Sequence, residues 1–431
     1  MRVNKKLLII SPYFPPTNGA DMQRIRMSLP YFKIFGWEPE VVTVDERHSD
    51  LIKDELLLQS VPADVKVHKV NALNKNWTSK TGLGSIALRS LPFYYKNVNL
   101  LLKANKYDLI YFSTTQFPVC ILGAYWKKKF NIPYVIDMQD PWHSNYYKNK
   151  PKEQQPPKYR FSYLLHKYLE PIAMKSCAGL ISVSKNYIED LKERYPSIKS
   201  IPEVVITFGS FEKDSQIAEN NQQLFKSLLN DQFTNIVYVG RGGVDMHKAI
   251  IPVFEVLKIG LNVYPELYNK IKFYFIGTSY AASGKGTLTV LPLAKKMGVE
   301  HNVIEIADRI SFYHTLITLK QANALFIPGS DNPQYSASKI YPYLQSYKPL
   351  LTIFNSNSAV IDILKEFGSV YNYTYDKTDD LHGKIHNFLT EVANLESRRP
   401  IYHKAAEEKY TSKSITEQQC KFFNQVLNGK N

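Results

Sequence analysis

Short runs of apolar and β-branched residues alternate with longer segments of helical periodicity along almost the whole chain. In the first half the strand-like runs are Leu7–Ser11, Glu40–Val44, Leu109–Ser113, Tyr134–Asp137, Leu180–Val183 and Val204–Thr207. In the second half they are Ile236–Val239, Phe273–Ile276, Val303–Ile306, Ala324–Ile327, Leu350–Ile353 and Val370–Tyr371. Helices are predicted at Lys185–Arg194, Lys248–Leu261, Leu291–Lys296, Tyr313–Gln321, Lys339–Ser346 and Ala359–Phe367. Such alternation builds parallel sheets covered by helices, so the expected class is α/β and doubly wound.

At 431 residues the chain exceeds one ordinary hydrophobic core, and the pattern divides into two series of similar size. An N-terminal Rossmann-like domain is expected over 1–210 and a second over 234–403. Residues 211–233, rich in Asn, Gln, Asp and Ser, read as a linker region. An amphipathic helical tail over 404–431 is expected to pack at the domain junction. Lys150–Pro157 has prolines and charge without periodicity and reads as an exposed loop.

Composition excludes several classes. The 44% apolar and 22% charged content suits a soluble globular protein. Cys120, Cys177 and Cys420 lie too far apart for a CxxC metal site or a disulfide framework, and suit buried thiols in a reducing cytoplasm. No apolar run approaches the roughly 18 residues of a membrane span. Leu7–Ile10 is too short for a signal-peptide core and reads as a buried strand.

The charge is uneven. Residues 1–200 hold 30 Lys and Arg against 17 Asp and Glu, leaving 24 against 22 in the remainder. No acidic residue falls between Asp64 and Asp108, whereas Lys66, Lys69, Lys75, Lys80, Arg89, Lys96, Lys103 and Lys106 do. Trp77, Leu88, Leu91, Phe93, Tyr94 and Tyr95 are interleaved with them. Such a surface attracts anionic lipid headgroups, each charge contributing about 1 kcal/mol near the membrane. The alternative is a solvated basic face. Nucleic acid is not the expected partner, because no helix-turn-helix or RNP sequence accompanies the charge.

Ligands of doubly wound sheets bind beyond the carboxyl ends of the strands, and four segments occupy such places. In Ser11–Arg26 a Pro-rich loop leads through Asn18-Gly19-Ala20 into a helix with Arg24 and Arg26. Small residues there let backbone approach a ligand, and free N–H groups favour anions; a ligand-free tight turn is the alternative. The segment is no GxGxxG fingerprint, so a nicotinamide cofactor is not indicated.

In Tyr134–His143 the carboxylates of Asp137 and Asp140 sit at or just past a strand end, with His143 beyond. They can accept a proton or bind a sugar, Asp140 more readily because Asp137 falls within the strand; Asp-Pro is also an ordinary loop starter. In Val237–Lys248, Arg241 has three glycines nearby and Lys248 opens the next helix, a cation pair beside flexible backbone that suits a diphosphate. In Ala324–Leu351, Ser336-Ala337-Ser338-Lys339 opens a helix, giving both dipole and charge for a phosphate. Ser336 or Ser338 can equally be a plain N-cap.

Together these segments resemble family 4 glycosyltransferases of the GT-B fold. The order matches: the Pro-rich glycine loop, IPYVIDMQDPW, CAGLISVSK, VYVGRGG, and FIPGSDNPQYSASKIYPYLQSYKPLL. The last is similar to the family's P-S-K-L-F-E-Y-L-A-x-G-K-P-V motif, and Arg309-Ile310 resembles its nucleotide-base loop. The resemblance implies two Rossmann-like domains facing each other across a cleft. It implies a nucleotide-sugar donor, a glycan or lipid-linked acceptor, retention of configuration, and no metal or other cofactor.

Site residues follow by analogy. Arg241 and Lys248 would hold the pyrophosphate, Ser338 and Lys339 would add phosphate contacts, and Ile310 would meet the base. Gly19, Arg24 and Asp140 would face the acceptor side, Gly19 also the donor. Asp140, His143, Arg241 and Lys248 would carry the chemistry. The family's ribose-binding glutamate falls at Pro342, which has no hydrogen-bonding side chain, so Tyr341, Tyr343 or Gln334 would have to substitute. The expected protein is thus a cytoplasmic glycosyltransferase of surface-polysaccharide assembly, peripheral on the inner membrane face. A non-catalytic scaffold or sugar-binding subunit, and an epimerase or phosphorylase on the same fold, stand as alternatives.

Overall fold

The computed structural model describes residues 4–429 except 144, 146–147, 149–150, 153–154, 156–157, 280, 282–283, 333–338, 395 and 397–398. The chain forms two units, Met1–Phe208 with Thr411–Asn431, and Gly209–Tyr410.

The first unit carries β1 (Lys5–Ile10), β2 (Trp37–Val44), β3 (Lys66–Val70), β4 (Leu109–Ser113), β5 (Tyr134–Met138), β6 (Gly179–Ser182) and β7 (Glu203–Val205). All pair in parallel in the order β3-β2-β1-β4-β5-β6-β7. Successive residues of a strand point to opposite faces, and here both faces are covered. Ile10, Phe112 and Ile136 pack under helices Ile86–Ala104, Ile121–Phe130 and Tyr159–Met174. Ile9, Tyr111 and Val135 pack under helices Gln23–Ser28 and Ser412–Asn428. Double coverage is why β1, β4 and β5 read as unbroken apolar runs.

Sequence reading missed β3, whose KVHKV composition reflects an edge position. Lys66 and His68 reach Glu40 on β2, at 3.6 and 2.9 Å.

The C-terminal helix is part of the first core. Phe423 lies 5.5 Å from the Trp37 ring and 4.9 Å from Tyr111. Gly179 lets the helix come close, since an added Cβ would sit 2.7 Å from Val426. Truncating an aromatic so enclosed typically costs about 3–5 kcal/mol.

The second unit carries β8 (Thr234–Val239), β9 (Ile271–Ile276), β10 (Val303–Ile306), β11 (Ala324–Pro328), β12 (Leu350–Phe354) and β13 (Asn372–Thr374). These are also parallel, in the order β10-β9-β8-β11-β12-β13. The last strand lies beyond the predicted Val370–Tyr371, because Val370 projects into solvent and the pairing with β12 begins at Asn372.

Two boundaries need correction. The 211–233 stretch is no linker: Glu212–Asn220 is a helix of the second unit, tied by the Tyr313 hydroxyl donating to Asp214 at 3.1 Å. The tail is not one helix either. Lys404–Lys409 belongs to the second unit and Ser412–Asn428 to the first.

All three cysteines are free and buried. Among the described residues no helix is long and apolar enough to cross a membrane. Most of the Lys150–Pro157 loop lies outside the described residues.

Candidate functional site

In each sheet the chain reverses its direction of winding next to the first strand, at β1/β4 and at β8/β11. Loops leaving the carboxyl ends of such strands diverge and leave a crevice for ligands.

At the first switch point, Asp21 is buried and accepts bonds from the Thr114 hydroxyl (2.6 Å) and the Thr115 N–H (3.1 Å). Burial raises its carboxyl above the usual range. Gly19 lies against this group, since an added Cβ would meet Asp21 Oδ1 and Tyr13 Cβ at 3.0 Å.

Asp140 follows β5. Its carboxyl is pushed up to about 6, first by the protein surrounding it and then by the charge of Asp21, although the residue keeps solvent-exposed area. Its raised pKa means that protonation adds stability in acid, lost as the pH rises through about 6. Asp140→Asn is therefore expected to melt slightly above the parent at neutral pH, the gain reduced by the residue's exposure to solvent, and level with it near pH ~4, in thermal scans across pH.

His143 is buried, its ring 4.4 Å from Tyr163, and its Nε2 has no partner among the described residues. Burial, then the charges of Arg194 and Lys167, depress its pKa. Its backbone N–H bonds Glu170, a buried carboxylate also held by Arg194 (3.2 Å) and the Tyr195 hydroxyl (2.7 Å). That link fixes the Asp140–His143 loop.

Arg24 does not face an acceptor. Its guanidinium is buried, 2.8 Å from Asp137 and donating to the carbonyls of Ile206 (2.8 Å) and Thr207 (3.1 Å). Asp137 also receives bonds from Ser113, Tyr111 and Gln139. Both charges are structural because each is the other's compensation in the interior.

At the second switch point β8 ends at Val239 and turns through Gly240-Arg241. Tyr343 anchors that end: its hydroxyl accepts from the Val239 N–H at 2.7 Å and donates to the Val239 carbonyl at 3.1 Å. Arg241 makes a bidentate pair with Asp245 (2.8 and 2.6 Å), which also accepts from the Ser330 hydroxyl after β11. Gly243 leaves room for this pair, because an added Cβ would meet Asp245 Oδ1.

Lys339 points at the same turn. A Cβ on Gly240 would meet its Nζ at 2.5 Å, and the ammonium lies 5.9 Å from the Tyr238 ring centre. It makes no ion pair among the described residues. Burial, then the charges of Arg309 and Arg241, push its pKa down to about 8. The charges of Arg241 and Arg309 thus both act on Lys339, and Arg241 is itself paired with Asp245. Such an arrangement is set to receive an anion.

Arg241 and Lys339, each expected beside a phosphate, come to the same turn, and Arg309, expected only as part of a base loop, acts on Lys339 from the loop after β10, far away in the chain. Lys248 is exposed in the first turn of helix His247–Val263 and is not among the charges acting on Lys339. Ile310 is half-buried before Ser311, whose hydroxyl caps helix Phe312–Gln321 by accepting from the His314 N–H. Tyr341 is buried, packed against Tyr410 with ring centres 5.6 Å apart. Pro342 sits in the first turn of helix Ile340–Gln345, where a missing N–H is tolerated. Ser336, Ser338 and Gln334 lie outside the described residues.

No family profile matches the chain. No curated protein matches it in sequence. Comparison with solved structures defines the class: the chain has the GT-B fold, two Rossmann-like domains in one polypeptide. Anabaena HepE in complex with UDP aligns over 99% of both chains at 15% identity and TM-score 0.51. The N-terminal domain of Candida albicans trehalose-6-phosphate phosphatase aligns over 100% of this chain and 98% of its own, at 14% identity and TM-score 0.59. A TarM mutant from S. aureus, in complex with fondaparinux, α-GlcNAc-glycerol and UDP, aligns over 97% of this chain and 100% of its own, at 12% identity and TM-score 0.56.

Proposed function

We propose that this protein is a glycosyltransferase that moves a sugar from a nucleotide donor to a glycan or lipid-linked acceptor. The observation that carries the proposal is the Lys339–Arg241–Arg309 cluster at the switch point of the second sheet. Support comes from HepE and TarM, each solved with UDP, and from the glycan ligands in the TarM complex.

In this reading the cations hold the donor's pyrophosphate. They stabilise the negative charge that grows on it as the sugar–phosphate bond breaks, without a metal ion. Arg241 and Lys339 lie nearest the phosphates, and Arg309 adds field from the β10 loop. Lys248 and Ser338 keep the phosphate contacts that the family 4 resemblance implies, and Ile310 the contact to the base. On the acceptor side, Gly19, Asp140 and His143 line the first switch point, and Asp140 accepts or orients a hydroxyl proton. The transfer retains anomeric configuration and serves surface-polysaccharide assembly on the cytoplasmic face of a membrane.

A thermal-shift screen against UDP, GDP, ADP and their sugars tests this. One nucleotide should stabilise the protein selectively, and Arg241→Ala and Lys339→Ala should abolish the shift. A second reading, a non-catalytic scaffold, is favoured by Pro342 at the ribose position. It predicts no stabilisation by any nucleotide and no donor hydrolysis in the absence of acceptor.

A further inference from the structure

The outer surface of one helical layer in the first unit has an unusual composition. Helix Tyr159–Met174 exposes Phe161, Leu164, Tyr168 and Ile172, at spacings of three, four and four residues, which is one continuous stripe. Tyr168 is 71% exposed. The turn before helix Ile86–Ala104 abuts the start of this stripe. Lys158 Nζ donates to the Ser79 carbonyl at 2.9 Å, and a Cβ on Gly82 would touch the Phe161 ring. That turn adds Leu83, and the short helix before it adds Trp77, 78% exposed.

Cations border the stripe, and among the described residues its helices expose no carboxylate. Lys80, Lys158, Arg160, Lys167 and Lys175 are exposed around it. Lys127, Lys128 and Lys129 end the neighbouring helix Ile121–Phe130. Helices Ile86–Ala104, Ile121–Phe130 and Tyr159–Met174 contain one acidic residue among them, Glu170, and it is buried and bonded to Arg194 and Tyr195. The cations read in sequence as one basic stretch divide differently. Lys66, Lys69 and Lys75 pair with Glu40, Glu46 and Asp50, and Arg89 is buried on backbone carbonyls.

We propose that this face docks on an anionic lipid bilayer, with the stripe and Trp77 entering the headgroup region and the lysines meeting lipid phosphates. The inference rests on the membrane-associated part of the function proposed above, and not on its donor chemistry. Exposed Phe, Leu, Ile, Tyr and Trp beside Lys and Arg are what an interfacial helix presents to a membrane. A protein partner fits less well, since the cores of protein interfaces are depleted in lysine. No segment here crosses the bilayer; the contact is shallow, reversible and screened by salt.

Flotation with vesicles of one part phosphatidylglycerol to two parts phosphatidylcholine tests this at low salt. The parent protein should float, and the Leu164→Ser/Tyr168→Ser double variant should bind at least about tenfold less, with unchanged melting. Tryptophan emission supplies an independent readout. Trp37, Trp126 and Trp142 are already buried, so a blue shift on adding vesicles reports Trp77, and Trp77→Phe should remove it. Flotation that persists in the double variant, or comes without a blue shift, would assign membrane contact to another face and overturn the proposal. No flotation at all would overturn membrane association itself, while the nucleotide screen tests the donor site separately. Concentration-dependent dimers without lipid, dissolved by the double variant, would make the stripe an interface between copies and equally sink the idea.

Discussion

Lys339→Ala should weaken binding of the cognate nucleoside diphosphate by about 10- to 100-fold, because a hydrogen bond to a charged group typically contributes about 1.5–3 kcal/mol. The ammonium lies against the Gly240 turn and makes no ion pair among the described residues, so in the proposed function a bound phosphate would supply its counter-charge. The pH dependence has a definite sign. Free Lys339 titrates at about 8 because burial and two guanidiniums disfavour its charge, and a bound dianion favours it. Binding therefore takes up a proton, and affinity should fall as the pH rises above about 8, by at most about tenfold per unit. Titration calorimetry in buffers of different ionisation enthalpy reads that proton directly. In Lys339→Met the affinity should be low and flat over the same range. A parent protein with pH-independent affinity would place the phosphate elsewhere.

Arg24→Ala should destabilise the first unit by about 3–5 kcal/mol, the usual result of stranding one partner of a buried ion pair. Asp137 would keep its bonds from Ser113, Tyr111 and Gln139 but lose the only cation paired with it among the described residues. Denaturant unfolding followed through Trp37 and Trp126, both in that unit, measures the loss. The double variant Arg24→Met/Asp137→Asn should recover much of it, since no net charge is then left inside. Nucleotide-induced stabilisation of the second unit should persist in all three proteins. If Arg24→Ala instead proved stable, the guanidinium would be free for a ligand role after all.

Much of the fold was legible because strands buried on both faces must be apolar throughout. Leu109–Ser113 and Tyr134–Asp137 stood out for that reason, and each appears as a strand with those residues buried. β3 was hidden because an edge strand can place Lys66, His68 and Lys69 in solvent or against Glu40. The candidate site's residues were local in sequence, but their grouping was not. A cation directly after a strand, such as Arg241, is local in sequence, and so is Lys339 at the start of a helix. Arg309 joins them only through the β10-β9-β8-β11 strand order, which one sequence does not display. Arg24 shows the opposite case: it follows a promising motif, yet its guanidinium turns inward onto Asp137.

The order of synthesis is the reverse of the order of completion. The first-encoded unit lacks the helix that covers one face of its sheet until Ser412–Asn428 has left the ribosome, after every residue of the second unit. Trp37, Tyr111 and their neighbours thus wait uncovered through most of translation. A message cut short before Thr411 would yield a chain able to close its second unit while leaving the earlier one unsealed, a natural substrate for chaperones and proteases.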